Sequence, residues 1–286
     1  MEERNERGET LEEFLVRYDE TKYRRPSNTV DMILLTVLKG KLKVLLVKRK
    51  DHPFIHDWAM PGGFVNFDED LDTAMKRELE EETNLFDSTY FRQLYTFGNA
   101  DRDPRTRVIT TVYLSMTPAE NIKMTSAGDD AMDTGWFTIQ KITTTSDGYE
   151  RKSVLMLDEE EKGIHLRYEI YDTACDNYVQ TRSKLLESSN AKLAADHIKA
   201  INMAIDVVRN RAASTGIMFN LLPKECTLRE IQEVYEAIVN HPVDTGNFRR
   251  DIKKMLVATG NTTIVNGRKV ATYSFNPLLP FVKETL

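Results

Sequence analysis

The sequence predicts an α+β protein built from two domains, and three observations carry this prediction. The chain has 286 residues, which suits about two domains better than one. Its first part alternates strand-like apolar runs with a helical segment free of Gly and Pro. Its last part gives, in order, an alanine-rich helix, a helix, a turn, a helix and a hairpin.

The composition sets limits on class and location. With 41% hydrophobic and 29% charged residues, the chain has enough apolar material for a globular core. Its net charge of −6 argues against coating nucleic acid along the whole length but permits a local basic face. Cys175 and Cys226 form no CxxC pair, so we expect no disulfide framework, no zinc site and a cytoplasmic location. We also expect no signal peptide and no membrane partner.

The elements of the first domain follow from the spacing of apolar residues. Helical spacing predicts a short amphipathic helix at the start and a second helix after the Pro-Gly-Gly loop, with β-branched runs as strands between. Residues 143–190 give no clear pattern except one candidate strand. The predicted elements are a helix over 11–18, a strand hairpin over 30–38 and 44–47, a loop at 61–63, a helix over 71–83, strands at 108–116, 136–137 and 166–171, and a helix over 193–211.

The C-terminal part has the order of a winged helix-turn-helix. Thr227 to Glu230 fits a capping box that begins an amphipathic helix. A second helix is predicted over 247–257, ending near Gly260, and two strands over 262–265 and 270–275 are joined through Asn266-Gly267, a strong hairpin signal. We therefore expect a first domain over 1–211, a linker over 212–223 and a winged helix domain over 224–286.

The winged helix carries a local excess of positive charge. Between Asp244 and Val270 there are six basic residues against two acidic ones, in a chain whose net charge is negative. Placed on the second helix and at the wing tip, they would face double-stranded DNA. Simple solvation of this face, in a domain used only for dimerisation, is the alternative. The candidate DNA-binding residues are Arg249, Arg250, Lys253, Lys254, Arg268 and Lys269.

Three glutamates of the predicted helix over 71–83 form the first candidate site. Glu78, Glu81 and Glu82 point toward one side of a helix. Surface glutamates should lie opposite the apolar face, yet at about 100° per residue Glu78 and Glu82 fall inside the apolar arc. Clustered carboxylates repel each other unless a cation offsets the charge, and hard cations prefer several oxygen ligands. The pattern therefore favours a magnesium site over a solvated acidic face.

The stretch from Gly63 to Leu85 resembles the box of the Nudix hydrolase superfamily. The box reads Gly-x5-Glu-x7-Arg-Glu-U-x-Glu-Glu-x-Gly-U, where U is a bulky aliphatic residue, and only its second glycine differs, as Asn84. The resemblance implies an α/β/α sandwich with a mixed sheet. It also implies that Glu78, Glu81 and Glu82 bind Mg²⁺ or alternatively Mn²⁺, that Gly63 supplies a carbonyl, and that Glu69 pairs with Arg77.

The chemistry that this resemblance implies is hydrolysis of a pyrophosphate bond by water. Either Glu78 or Glu82 can accept the proton of the water, although relatives often place the base in a later loop. The sequence around Pro104, together with residues 25–31, 127–130 and 136–137, looks like the ADP-ribose-handling group. Candidate phosphate or ribose contacts are Arg102, Arg105 and Arg107, with an ordinary charged loop as the alternative.

The arrangement of both domains resembles the Nudix-related transcriptional regulators of NAD metabolism. Residues 219–223 and 247–250 are similar to that family's linker and second helix. Two functions follow. The first is a Mg²⁺-dependent hydrolase of ADP-ribose or a similar nucleoside diphosphate derivative. The second is a repressor of NAD or sugar metabolism genes whose first domain senses such a ligand. A homodimer is expected for either, since winged helices read paired half-sites.

Overall fold

The computed structural model describes residues 3–83, 90–124, 131–176 and 178–276. Its main feature is one mixed ten-stranded sheet. The helices are α1 (Leu11–Arg17), α2 (Leu71–Thr83), α3 (His197–Ala212), α4 (Leu228–Val239) and α5 (Thr245–Ile252). The strands of the large sheet are β1 (Ser27–Leu38), β2 (Lys41–Arg49), β3 (Trp58–Ala59), β4 (Gly62–Phe64), β5 (Tyr90–Phe97), β6 (Val108–Met116), β7 (Ala131–Ser146), β8 (Glu150–Glu159), β9 (Ile164–Cys175) and β10 (Tyr178–Leu185).

Strand β1 lies at the centre of this sheet because both of its faces are apolar. It pairs antiparallel with β2 and parallel with β6, and the strand order is β10-β9-β8-β7-β2-β1-β6-β5. Met32 and Leu34 face α2, whereas Ile33 and Leu35 belong to the core on the α3 side. Because successive side chains of a strand point to opposite faces, one buried strand separates two helical layers. The predicted α/β/α sandwich with a mixed sheet is confirmed.

Residues 143–190, which the sequence left largely unassigned, form the end of β7 and the strands β8, β9 and β10. The predicted strand over 166–171 is confirmed as the middle of β9. In β8 the buried positions include Ser153 and Glu159 as well as Leu155 and Leu157. Polar residues at the ends of the buried row interrupt the alternation of apolar and polar residues by which a strand is recognised.

Helix α3 begins four residues later than predicted. The segment before it is bridged to β3 at Leu193, because the amide of Trp58 donates to the carbonyl of Lys192 and the amide of Ala194 donates to the carbonyl of Trp58. Ala195 then has a positive φ of 43°, which a helix does not contain. Intrinsic helix propensity is overridden here by backbone pairing with β3.

The C-terminal part has the predicted order of helix, turn, helix and hairpin. Helix α4 begins with the predicted capping box of Thr227 and Glu230. The second helix, however, ends at Ile252 rather than near Val257, and a 3-10 turn at Lys253–Met255 leads into β11 (Leu256–Val265). The reason is that Leu256 and Val257 pair with β12 (Arg268–Phe275). Asn266 and Gly267, both at positive φ, form the predicted hairpin turn.

The segment predicted as a linker is packed against the helices. Residues Gly216–Leu221 form a 3-10 helix in which Ile217, Met218 and Leu221 are buried in the same apolar cluster as α3 and α4. The domain boundaries 1–211, 212–223 and 224–286 stay a prediction. The N-terminal helix α1 agrees with its prediction to within one residue, and in the described part of the chain no helix is long and apolar enough to cross a membrane.

Candidate functional site

The first site is built on α2, whose bounds match the prediction. Ala74, Met75 and Leu79 pack against the sheet, and Glu78 is buried beside them with 8% of its surface exposed. Glu82 is half-buried, and the side chain of Glu81 is 59% exposed. The predicted placement of Glu78 on the inner side of the helix is therefore correct. Asn84 and Leu85, the last residues of the box, lie outside the described residues.

The loop that faces these glutamates, which enters β4 at Gly62, has glycine at two consecutive positions. Gly62 has a φ of 152°, and a Cβ there would lie 2.2 Å from the carbonyl oxygen of Val30. A Cβ on Gly63 would lie 2.2 Å from Oε1 of Glu78. The carboxylate of Glu78 thus occupies the space that a side chain at position 63 would need. The two glycines let the loop pass directly over the buried carboxylate.

Arg77 holds the loop and the helix together. Its guanidinium lies 2.6 Å from Glu69, 2.7 Å from Glu78 and 3.2 Å from Glu81, and it also donates to the carbonyl of Phe64. The hydrogen bond from Arg77, with one from the amide of Asn66, lowers the pKa of Glu69 to about 2. Glu69 is therefore ionised at neutral pH. The pairing of Glu69 with Arg77 that the family resemblance implies is present.

Glu82 and Glu78, the two carboxylates on the inner side of α2, have different environments. The amide of Gly62 donates to Oε2 of Glu82 over 3.1 Å, which ties the loop to the end of α2. Burial raises the pKa of Glu78, and the neighbouring Arg77 only partly offsets this. A buried carboxylate of this kind is stabilised as an anion by positive charge, and a metal ion would supply it.

The donor set fits a hard divalent cation. Glu78, Glu81 and Glu82 are all carboxylates, and the cradle at Gly63 brings backbone close to the buried one. Within residues 3–83, 90–124, 131–176 and 178–276, no three acidic, His or Cys side chains already converge as metal ligands. Arg77 contacts Glu78 and Glu81 instead.

The glutamates form one wall of a cleft of about 580 Å³. Six cationic side chains line the same cleft, so it combines a metal-binding wall with positive charge suited to phosphates. Apolar side chains, a histidine and three aspartates complete it. The cationic residues are Lys48, Arg49, Lys50, Arg77, Arg102 and Arg105, and the others include Asp31, Asp51, Asp103, Phe54, Met60, Ala194, Ala195 and His197.

The three predicted arginine contacts have different positions. Arg102 lines the cleft but is only 6% exposed, because it lies 2.9 Å from Asp196 and 3.8 Å from Asp31. Arg105 lines the cleft, pairs with Asp103 and stacks over the ring of Phe64. Arg107 is exposed and is not among the lining residues. Their predicted contacts with phosphate or ribose stay a prediction, and the predicted 127–130 motif lies outside the described residues.

Sequence reasoning missed the far wall of the cleft. Arg49 at the end of β2 donates to the carbonyl of Pro53, which folds the following loop back over the cleft. Asp196 and His197, at the start of α3, come from a segment predicted to be helix interior. No signal in the sequence relates residues near 50 to residues near 196. Only the pairing of β3 with the segment before α3 brings them together.

The candidate DNA-binding residues form two exposed groups. Arg249 and Arg250 lie on α5, and Arg268 and Lys269 follow the tip of the β11-β12 hairpin. Lys253 and Lys254 lie in the 3-10 turn after α5, which corrects their predicted place on the helix. Arg250 donates to Asn247 and lies 3.5 Å from Asp251. All six side chains are exposed, as a DNA-contacting surface requires, and their role stays a prediction.

Two sequence families match this chain in separate stretches. The NUDIX domain matches residues 26–157, and the NrtR DNA-binding winged helix domain matches residues 218–275. An ADP-ribose pyrophosphatase of Methanocaldococcus jannaschii is 34% identical over 129 residues, which are 45% of this chain and 72% of that protein. The ADPR responsive transcriptional repressor NtrR of Acinetobacter baylyi is 27% identical over 266 residues, 92% of this chain and 87% of that protein.

Solved structures extend the similarity over both parts. A MutT/nudix family protein from Enterococcus faecalis superimposes with a TM-score of 0.69 at 29% identity, covering 95% of each chain. Shewanella oneidensis NrtR complexed with a 27mer DNA superimposes with a TM-score of 0.58 at 26% identity, covering 87% of this chain and 93% of that one. The predicted two-part arrangement is confirmed by both kinds of comparison.

Proposed function

Because this chain belongs to the Nudix family and carries an NrtR-type winged helix domain, we propose that it hydrolyses ADP-ribose or a similar nucleoside diphosphate derivative and binds double-stranded DNA. The observation that carries the hydrolase part is the contact between Gly63 and Glu78. A buried carboxylate fitted against a glycine loop, with a second carboxylate hydrogen-bonded to that loop, is a costly arrangement. A domain that did not bind a metal ion there would gain nothing to offset this cost.

In this proposal the acidic residues of the cleft bind the metal ion and the basic residues bind the substrate. Glu78, Glu81 and Glu82, with the carbonyl of Gly63, would hold Mg²⁺, and Mn²⁺ is the alternative. When bound, such an ion neutralises pyrophosphate charge and makes water a better nucleophile. Glu69 keeps Arg77 in place, so that the loop and α2 stay in register.

The cationic side chains of the cleft bind the substrate in this proposal. Lys48 and Arg49 end β2 and Lys50 follows it, whereas Arg105 lies on the loop before β6, over the ring of Phe64. Their positive charge would hold the two phosphates against the glutamate wall. Arg102 is already paired with Asp31 of β1 and with Asp196, the residue before α3. It therefore contributes positive potential and holds these two parts of the cleft together.

The second candidate function is a DNA-binding repressor that responds to this ligand. It is favoured by the exposed basic residues of α5 and of the hairpin, together with the 92% coverage by a repressor relative. The relative's name describes a response to ADPR, and a ligand cleft joined to a winged helix suits that role here. The two functions are compatible, since hydrolysis would remove the signal. A cytoplasmic homodimer reading two half-sites completes the proposal.

One experiment tests both functions together. ADP-ribose and other nucleoside diphosphate derivatives are incubated with the protein and Mg²⁺, and AMP release is measured with and without DNA from upstream of the protein's own operon. We expect Mg²⁺-dependent release of AMP and retardation of the DNA at low salt. No AMP release from any of these compounds would contradict the hydrolase, and no retardation would contradict the regulator.

A further inference from the structure

The first turn of α3 forms part of the cleft wall. Ala194, Ala195 and His197 line the cleft, and His197 is 7% exposed. This places the beginning of a 16-residue helix within reach of any ligand that fills the cleft. The Nudix glutamates and α3 come from distant parts of the chain, and the proposed function gives α3 no role.

His197 holds the loop that carries the two glycines. Its Nδ1 accepts a hydrogen bond from the amide of Met60 over 2.9 Å, and because an amide can only donate, the ring proton belongs on Nε2. Met60 directly precedes Pro61 and Gly62, and the amide of Gly62 donates to Glu82. Two hydrogen bonds, joined by the backbone from Met60 through Pro61 to Gly62, therefore connect α3 to a predicted metal ligand.

A second contact fixes the same end of α3. Both Nε and a terminal nitrogen of Arg102 donate to the carboxylate of Asp196, the residue that precedes the helix, over 3.3 Å and 2.9 Å. Arg102 lines the cleft on a different loop. The start of α3 is therefore held by one loop through His197 and by another through Asp196, and a ligand in the cleft would contact both loops.

The other end of α3 is fixed to the winged helix. Arg209 donates through Nε to the carbonyl of Ile238 on α4 over 2.9 Å, and through a terminal nitrogen to the carbonyl of Lys141 over 3.1 Å. At a rise of about 1.5 Å per residue, His197 and Arg209 are about 18 Å apart along the helix. On α4, the ring of Tyr235 packs against Phe248 of α5, the neighbour of Arg249.

We propose that His197 is a positioning residue for the Met60–Gly63 loop and that α3 transmits occupancy of the cleft to the winged helix. The inference rests on the proposed function for the identity of the two ligands. A helix packed along its whole length moves as a unit, so a shift at the Met60 contact reaches Ile238. The coupling is reciprocal, and DNA should change the affinity for ADP-ribose by the same factor.

The test measures the factor by which a ligand in the cleft changes the affinity for DNA, in four full-length proteins. The affinity for operon DNA is measured with and without the α,β-methylene analogue of ADP-ribose, whose central linkage resists hydrolysis, in the presence of Mg²⁺. His197→Ala removes the acceptor for the amide of Met60, whereas His197→Asn keeps an acceptor near the position of Nδ1. Arg209→Met removes both backbone contacts without touching the cleft. Hydrogen exchange of the amide of Met60 is followed in parallel.

We expect the analogue to change DNA affinity about tenfold or more in the wild type and in His197→Asn, and about twofold or less in His197→Ala and Arg209→Met. We also expect faster exchange at Met60 in His197→Ala only. Wild-type coupling in both disrupting variants would overturn the inference, and so would unchanged exchange at Met60. If the analogue does not change the DNA affinity of the wild type, α3 does not transmit occupancy of the cleft. AMP release and retardation without ligand would still test the proposed function separately.

Discussion

Gly63 and Glu78 fit together so closely that a Cβ on residue 63 would lie 2.2 Å from Oε1 and 2.5 Å from Cδ of the glutamate. The two residues are only 15 positions apart in the sequence and belong to β4 and α2. Their contact aligns the backbone of the loop with the buried carboxylate. Four residues that line the same cleft, Gly63, Glu82, Arg105 and His197, can be tested individually.

Gly63→Ala should lower Mg²⁺-dependent AMP release by about 100-fold, because the loop or Glu78 must shift by about an ångström to admit the methyl group. The measurement is kcat/KM with ADP-ribose, with the thermal unfolding midpoint as a check on folding. The matched control is Gly98→Ala, where the nearest atom to an added Cβ is 3.9 Å away. Equal activity in the two variants would contradict the fit between Gly63 and Glu78.

Glu82→Gln should lower AMP release from ADP-ribose at least about 100-fold. The amide keeps an oxygen for the amide of Gly62 but loses the charge that a metal ligand needs. Glu80→Gln, on the exposed side of the same helix, serves as the control and should be nearly silent. If Glu82→Gln and the control have equal turnover at saturating Mg²⁺, Glu82 is not a metal ligand.

Arg105→Ala should raise the KM for ADP-ribose about tenfold, because a charged hydrogen-bond donor is lost from the cleft. Arg107→Ala is the control: it lies two residues away, is exposed, and is not among the residues that line the cleft. A larger effect at position 107 than at 105 would show that the substrate lies outside the cleft.

His197 makes stability depend on pH. Burial lowers its pKa below the usual value of about 6.5, and the nearby carboxylates of Asp31 and Asp196 only partly oppose this. Below about pH 6.5 the unfolded chain binds a proton that the folded chain does not. The free energy of unfolding should therefore fall as the pH drops from 7, by at most about 1.4 kcal/mol per pH unit from this group.

The comparison that isolates His197 is with His197→Asn, which does not titrate in this range. Denaturant unfolding at several pH values between 7 and 5 should show the wild type losing stability faster than the variant. Burial is the largest cause of the lowered pKa of His197, and salt does not screen it, so the effect should persist at moderate salt. Parallel curves for the two proteins would show that His197 has an ordinary pKa.

Arg249→Ala with Arg250→Ala should weaken binding to the operon DNA and reduce the slope of log affinity against log salt by about 2, if each side chain contacts one phosphate. The control is Arg229→Ala, an exposed arginine of α4 that pairs with Glu233. An unchanged slope in the double variant would place the DNA on another surface.

The sequence predicted helices and turns well where local residue preferences alone determine the structure. Helix α2 was predicted to the residue, because its apolar spacing is uninterrupted, and the hairpin at Asn266-Gly267 follows from local turn chemistry. It failed where packing outweighs local preference. The start of α3 was misplaced because Leu193 pairs with Trp58 of β3, and α5 was predicted too long because Leu256 pairs with β12.

By itself, the sequence determined the glutamate wall of the cleft, since Gly63, Glu69, Arg77, Glu78 and Glu82 lie within one loop and one helix at fixed spacing. Contacts of this kind are local, and a pattern can report them. Only the tertiary structure decided the opposite wall. Arg49 and His197 both line it because β2, β3 and the segment before α3 are joined by backbone hydrogen bonds. Such non-local pairing leaves no periodic trace in the chain.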